Sequence, residues 1–207
     1  MTETPAPKNT EDLSPLDRQN VVAIETAPPS QARRILLETI ETIVLALVLF
    51  LAINFVSARI RVDGSSMEPT FHDGDYVVVN RLAYKVGEIQ RGDVIVFPPP
   101  QDPEIDYIKR VVGLPGDHVA IYNGKVFLNG QEITEPYLNE VPTGNYAEHV
   151  VPEGSVFVLG DNRNHSDDSR VWGFLTIDKI LGKAVFRYWP FNTMGLVEHP
   201  RLGLASP

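Results

Sequence analysis

The sequence predicts a mostly β protein, in which antiparallel sheets pack together or close into a barrel after one N-terminal membrane helix. Three observations predict this fold class. A long apolar run covers residues 42–58, short β-branched and aromatic segments recur from Ile60 onward, and glycine and proline turn signals separate these segments. After the apolar run, helical periodicity is limited to a weak pattern at residues 81–89.

Composition excludes several functions. The chain has 207 residues and a net charge of −9, which argues against nucleic-acid binding because phosphate contacts need clustered lysine and arginine. It contains no cysteine, so a disulfide framework, a thiolate zinc site and a cysteine nucleophile are excluded. We therefore expect no nucleic acid as a partner.

The N-terminal part has two segments. Residues 1–34 are rich in proline and scattered charge without apolar periodicity, which predicts a disordered tail. Residues 35–58 are predicted to be a transmembrane helix, which would measure about 36 Å and could cross a bilayer. A buried core helix and a cleaved signal peptide ending at Ala58 are the alternatives, and the long acidic segment before the apolar run favours an uncleaved anchor.

Residues 59–207 are predicted to form the β domain. Turn signals support this: Asn123-Gly124 and Asn129-Gly130 suit tight hairpins, and the Leu114–Asp117 segment suits a type II turn. The predicted strands are YVVVN (76–80), DVIVF (93–97), YIKRVVGL (107–114), HVAIY (118–122), KVFLNG (125–130), SVFVLG (155–160) and KAVFRYW (183–189).

The stretch DGSSMEPTF, residues 63–71, follows the apolar run and contains a candidate nucleophile, Ser66. Gly64 permits an unusual φ, and Pro69 stiffens the exit from the turn. Such a turn can direct a hydroxyl and the backbone N–H of Ser66 at one point, as an oxyanion site requires. A solvated turn remains the alternative, and Ser65 could also supply the hydroxyl.

A serine nucleophile needs a base, and Lys109 is one candidate because it lies inside a predicted strand. Alternation places Tyr107, Lys109 and Val111 on one face, so the lysine points either to solvent or to an apolar interior. Burial would lower its pKa from about 10.4 towards 7, at which a neutral amine can accept the serine proton. A histidine base stays open, and the sequence offers His72, His118, His149, His165 and His199.

The third polar segment is LGDNRNHSDDSRVWGF, residues 159–174. It fails as a calcium loop because Arg163 would occupy a ligand position. Asp161 and Arg163 suit turn contacts, Asp168 and Arg170 suit a bidentate ion pair, and the Ser166 hydroxyl could orient a neutral lysine. Because the sequence also lacks the phosphate-loop spacing, we expect no metal and no cofactor.

Five motifs follow one another along the chain: SMEPT, GDYVVVNRLAY, RGDVIVF, DYIKRVVGLPGD and GDNRNHSDDSRVWGF. With these motifs in this order, the sequence resembles the bacterial type I signal peptidases over about residues 40–190. The resemblance implies an integral membrane serine protease with a Ser/Lys dyad. Such an enzyme removes signal peptides, with small residues at −1 and −3, from exported preproteins. It also implies a plasma-membrane (or equivalent energy-transducing membrane) location, with the catalytic domain on the extracytoplasmic side and the lipid bilayer as a partner. The implied fold is an antiparallel, barrel-like catalytic domain with a small second β lobe, here residues 118–153.

The resemblance also implies residue roles. Ser66 matches the nucleophile, Lys109 the general base and Ser166 the serine that supports the lysine, while Asp168 and Arg170 match a paired acid and base that brace the site. Gly64 replaces a serine that helps hold the oxyanion in some members. The resemblance implies two substrate pockets. The pocket for the −1 side chain is lined by Met67, Phe71 and Tyr107, and the pocket for the −3 side chain by Val62, Val77, Val96 and Ile108. A membrane-tethered β domain that binds partners without catalysis, and a Ser-His-Asp hydrolase, are the alternative functions.

Overall fold

The computed structural model describes residues 30–99 and 105–203. Its longest helix is α1 (Gln31–Val56), followed by the short helices α2 (Ala83–Val86) and α3 (Ser169–Trp172). The strands are β1 (Ser57–Arg61), β2 (Tyr76–Asn80), β3 (Val94–Phe97), β4 (Tyr107–Gly113), β5 (His118–Tyr122), β6 (Lys125–Leu128), β7 (Gln131–Glu132), β8 (Tyr146–Val150), β9 (Ser155–Leu159), β10 (Leu175–Thr176), β11 (Gly182–Trp189) and β12 (Gly195–Leu196).

Helix α1 is long and apolar enough to cross a membrane, with a mean hydropathy of 2.4 over its most apolar window. It begins at Gln31 and ends at Val56, so Ser57 and Ala58 already belong to β1. The predicted disordered tail, residues 1–34, lies outside the described residues as far as residue 29, but its last four residues, 31–34, belong to α1, so this boundary was wrong. Polar side chains near or within the helix are satisfied internally, because Thr39, Thr42, Asn54 and Ser57 each donate to the carbonyl four residues earlier at 2.8 Å.

Eight strands form one antiparallel sheet in the order β1-β2-β11-β3-β4-β9-β10, with β12 on β11. Its centre is built from β-branched strands that are buried on both faces, such as VIVF in β3. Strand β4 pairs with β3 along Tyr107–Arg110 but with β9 only from Arg110 onward. Within the described residues, the backbone edge at Tyr107 and Ile108 is therefore unpaired on the β9 side.

A second sheet has the order β7-β6-β5-β8 and forms a small lobe. The tight turns that connect its strands are those predicted: Asn123 and Gly124 both have positive φ, as do Asn129 and Gly130. Before this lobe, Asp117 N–H donates to the Leu114 carbonyl at 3.0 Å, as in the predicted turn. The predicted fold class, mostly β with antiparallel sheets and one N-terminal apolar helix, is confirmed.

Differences from the predicted elements are local. The predicted helical pattern at 81–89 yields only one turn, which ends where Gly87 adopts an extended conformation. The sequence did not predict β1, β7, β8, β10 or β12, and the predicted helix 35–58 wrongly included the first two residues of β1.

Candidate active site

Ser66 lies in the turn that follows β1, and its position is fixed by backbone contacts. Gly64 has φ +87°, a conformation that favours glycine, and its N–H donates to Asp73 Oδ1 at 2.9 Å. From the other side, Asn162 N–H donates to the Ser66 carbonyl at 3.0 Å, and its side-chain amide donates to the Ser65 carbonyl at 3.1 Å. The Ser66 N–H itself donates to no acceptor within residues 30–99 and 105–203.

Lys109 points inward from β4 and reaches this serine. Its side-chain Nζ lies 2.8 Å from Ser66 Oγ and 3.1 Å from the Ile108 carbonyl oxygen. The lysine is only 3% exposed, and Nζ lies 4.8 Å from the centre of the Tyr107 ring. Lys109 therefore does not point outward to solvent, the orientation that would favour a non-catalytic binding domain.

The pKa of Lys109 departs from that of a free lysine. Burial lowers it from 10.5 to about 8, against the opposing charges of Asp168, Asp167 and Asp161. Desolvation disfavours the ammonium, so about a tenth of the molecules carry Lys109 as a neutral amine at pH 7. Such an amine, in contact with a hydroxyl, can act as a general base.

Arg110, the next residue in β4, is also buried, on the opposite face. It forms a bidentate pair with Asp161, at 2.9 and 2.7 Å, and both side chains are almost fully buried. Thr70 donates its hydroxyl proton to the same carboxylate. Strand β4 thus buries two consecutive cations, Lys109 and Arg110, on its two faces. Asp161 was predicted only to make turn contacts, but it also neutralises Arg110 in the central sheet.

The polar loop between β9 and β10 is held by its own ion pairs. Arg170 and Asp168 form the predicted bidentate contact at 2.8 Å for both hydrogen bonds, and Asp168 also accepts from Gly160 N–H at 3.0 Å. Arg163 donates to the Gly160 carbonyl and forms a buried ion pair with Glu135 of the small lobe. The sequence had no signal for this partner.

Ser166 enters the site without contacting the lysine. Its Oγ is buried and has no hydrogen-bond partner in the part of the chain that the structure describes. Gly160 separates this hydroxyl from the Ser66 carbonyl, and any side chain there would collide with both. The Ser166 hydroxyl is thus near the site, as its predicted lysine-orienting role requires, but it forms no hydrogen bond with Lys109 in this structure.

A cleft of about 210 Å³ opens beside Ser66 and Lys109. It is lined by residues 60–66 and 106–109, together with His165 and Asp167. Of the predicted pocket residues, Val62, Tyr107 and Ile108 line this cleft. Met67, Phe71, Val77 and Val96 instead lie in the hydrophobic core, all within 1% exposure, so their side chains support the wall from behind.

All five histidines lie in the described residues, and no histidine among them hydrogen-bonds Ser66 Oγ. His165 lies at the edge of the cleft, and His199 accepts from Val94 N–H at 3.2 Å. The geometry favours the lysine over a histidine as the partner of Ser66.

Comparison with known proteins identifies the family. A family model described as signal peptidase, peptidase S26, matches residues 36–189. The chain belongs to this signal peptidase family. Signal peptidase IB of Staphylococcus aureus is 40% identical in an alignment of 176 positions, which covers 76% of this chain and 91% of that relative. "Probable signal peptidase I-1" of Synechocystis sp. is 40% identical over 180 residues, 83% of this chain and 92% of that relative.

A crystal structure of a signal peptidase I from Enterococcus faecalis V583 is 35% identical and has a TM-score of 0.44, covering 47% of this chain and 97% of that chain. The family membership confirms the resemblance on which the enzyme class was predicted: the chain is a serine endopeptidase that cleaves signal peptides. Its apolar helix α1 is a candidate membrane span.

Proposed function

We propose that Ser66 and Lys109 are the catalytic dyad with which this protein cleaves signal peptides from exported preproteins. The observation that carries the proposal is the 2.8 Å contact between Ser66 Oγ and the Nζ of a buried lysine. With a pKa of about 8, roughly one lysine in ten is neutral at pH 7. That fraction supplies a base without any histidine.

The reaction follows from this contact. Neutral Lys109 accepts the proton of Ser66 Oγ while the oxygen attacks the scissile carbonyl carbon, which forms a tetrahedral intermediate. The resulting ammonium returns the proton to the departing amine of the mature protein, and the signal peptide remains as an ester on Ser66. Lys109 then accepts a proton from water, whose oxygen attacks the ester carbon. As the bond to Ser66 Oγ breaks, the Lys109 ammonium returns this proton to Oγ, and the released signal peptide loses its carboxylic acid proton to solvent.

The turn around Ser66 supplies the oxyanion site. The Ser66 N–H has no acceptor among the described residues, so it is available to donate to the developing negative oxygen. Gly64, with no atom near its missing side chain, leaves that side of the turn open to substrate.

We assign Ser166 to the protonated state of the lysine. The ammonium has three donors, and two are directed at Ser66 Oγ and the Ile108 carbonyl. The buried, unpartnered Ser166 Oγ supplies an acceptor for the third. Asp161, Arg163, Asp168 and Arg170 are structural supports, because their ion pairs hold the loop that carries Asn162 and Ser166.

Substrate binds as an extended strand. The unpaired backbone edge of β4 at Tyr107 and Ile108 lies beside the cleft and can pair with a peptide. The apolar walls at Val62, Tyr107 and Ile108 fit small side chains at −1 and −3. Met67, Phe71, Val77 and Val96 set the depth of these pockets by filling the space behind them.

The membrane arrangement is part of the proposal. Helix α1 (Gln31–Val56) spans the plasma membrane once, the residues before it form a cytoplasmic tail, and the chain from Ser57 onward forms the extracytoplasmic peptidase domain, with 118–153 as its small lobe. Internal hydrogen bonds of the polar side chains in α1 support a helix that can lie in lipid. An aromatic surface cluster supports contact of the domain with the bilayer surface: Tyr76, Trp189 and Phe191 are exposed, and Tyr188 is half-buried beside them.

Cleavage of a preprotein by the full chain in detergent micelles tests this proposal. Ser66→Ala and Lys109→Met should each lower kcat to the limit of detection, because one lacks the nucleophile and the other the base. Lys125→Met, which removes an exposed lysine that pairs with Glu132, is the matched control and should cleave like the wild type. Measurable turnover by Ser66→Ala or full turnover by Lys109→Met would refute the dyad.

A further inference from the structure

The segment that connects β7 to β8 in the small lobe contacts both buried arginines beside the catalytic centre. Glu135 pairs with Arg163, and their side chains are 7% and 3% exposed. Two residues later, the ring of Tyr137 lies 4.1 Å from the guanidinium carbon of Arg110. The Tyr137 hydroxyl donates to Glu135 at 2.6 Å, which joins the two contacts into one unit.

These two arginines hold the backbone on either side of Asn162. Arg110 binds the carboxylate of Asp161, and Arg163 bonds to the Gly160 carbonyl through Nε at 3.0 Å. Between them, Asn162 donates its N–H to the Ser66 carbonyl at 3.0 Å. The position of the nucleophile therefore depends on a loop in which the charge of Arg163 is balanced by Glu135 of the small lobe, while Asp161 binds an arginine on which Tyr137 stacks.

The same contacts bear on the base. Arg110 directly follows Lys109 in β4, so the stacking of Tyr137 on its guanidinium restrains the strand that carries the amine. Glu135 and Tyr137 do not line the cleft where substrate binds. Their direct contacts towards the catalytic centre are the ion pair with Arg163 and the stacking on Arg110.

We propose that Glu135 and Tyr137 are positioning residues of the active site, which act through Arg163 and Arg110 to hold Ser66 and Lys109 in contact. This inference rests on the proposed dyad. It assigns the small lobe a part in the reaction. Without the Glu135 carboxylate, the buried charge of Arg163 would be unpaired and would draw the loop out of place. Since that loop positions Ser66, a displacement of about an ångström would lower the rate by a large factor.

Glu135→Gln tests the first half of the proposal, because it keeps the shape of the side chain and removes the charge. We expect kcat for preprotein cleavage to fall about tenfold or more while KM stays within about twofold, since substrate does not touch Glu135. Glu132→Gln, the same substitution in an exposed pair of the same lobe, should leave both constants unchanged. In an Arg163→Met background, Glu135→Gln should cause no further loss of kcat, because the glutamate acts through that arginine.

Tyr137 provides a second test that does not depend on how Glu135→Gln folds. Tyr137→Phe keeps the ring over Arg110 and should retain more of the wild-type kcat than Tyr137→Leu, which loses the ring. Wild-type kcat in Glu135→Gln, full additivity with Arg163→Met, or equal kcat in the two Tyr137 variants would overturn the inference. Ser66→Ala separates the two levels: if it is inactive while the Glu135 variant is fully active, the dyad stands and only the positioning role fails.

Discussion

Replacing Lys109 with methionine removes an amine and keeps a side chain of similar length, so it isolates what the buried base does to stability. In the unfolded chain the lysine has its ordinary pKa of 10.5, and in the folded chain the pKa is about 8. Between these values the unfolded chain binds more protons, so the wild-type free energy of unfolding rises with pH. The free-energy penalty for burying the Lys109 ammonium is fully present below pH 8 and is gone above pH 10.5.

The size of the effect follows from this difference in pKa. At 1.36 kcal/mol per pKa unit, the buried charge destabilises the fold by about 3 kcal/mol at pH 7 and by about 1 kcal/mol at pH 10. Lys109→Met removes this penalty but also loses the hydrogen bonds to Ser66 and Ile108, which contribute about 1 kcal/mol each. The variant should therefore be about 1 kcal/mol more stable than the wild type at pH 7, and about 1 kcal/mol less stable than it at about pH 10.

Urea unfolding of the full chain in detergent micelles measures this difference. The two tryptophans, Trp172 and Trp189, both lie after α1, so their fluorescence follows the β domain alone. Lys125→Met, whose side chain is 62% exposed in the wild type, should change the free energy of unfolding by less than about 0.5 kcal/mol at both pH values. A Lys109→Met variant that is less stable than the wild type by the same amount at pH 7 and pH 10 would refute a buried, low-pKa lysine.

Two further substitutions probe the charges around the site. Asp167→Asn removes a carboxylate that lines the cleft and raises the pKa of Lys109 against the effect of burial. The pKa of Lys109 should therefore fall, and the acidic limb of the pH profile of kcat/KM should move to lower pH. An acidic limb at the wild-type pH would contradict this. Asp161→Asn leaves Arg110 buried without its charge partner, so urea unfolding should show a loss of about 3–5 kcal/mol, whereas Asp178→Asn at an exposed position should show almost none; equal small losses would contradict the buried pair.

Local patterns predicted most of the β framework. The seven predicted segments rich in β-branched and aromatic residues all contain strands, and the Asn-Gly turns lie where expected because their positive φ values suit few other residues. Strand β8, Tyr146–Val150, was missed because it is mostly exposed and shows no alternation. Strands β10 and β12 have two residues each and are too short for a period to appear.

The site was partly predictable for the same reason. The turn at Ser66 and the strand position of Lys109 are local features, but the direction in which a lysine points is decided by what covers the sheet. Alternation alone would not bury Lys109 and Arg110 together, since the partner of Arg110 lies 51 residues away in Asp161. Glu135 gave no sequence signal as the partner of Arg163 because that ion pair also forms only in the folded chain.

The most direct test of the account is the titration of Lys109 itself in the folded protein. Nuclear magnetic resonance of the full chain with isotope-labelled lysine, assigned by comparison with Lys109→Met, reports the protonation of this side chain as pH is varied. A buried Lys109 that serves as the base should titrate with a midpoint near pH 8, matching the acidic limb of kcat/KM. A midpoint near 10.5, that of a free lysine, would show that no neutral amine is available to Ser66 at working pH.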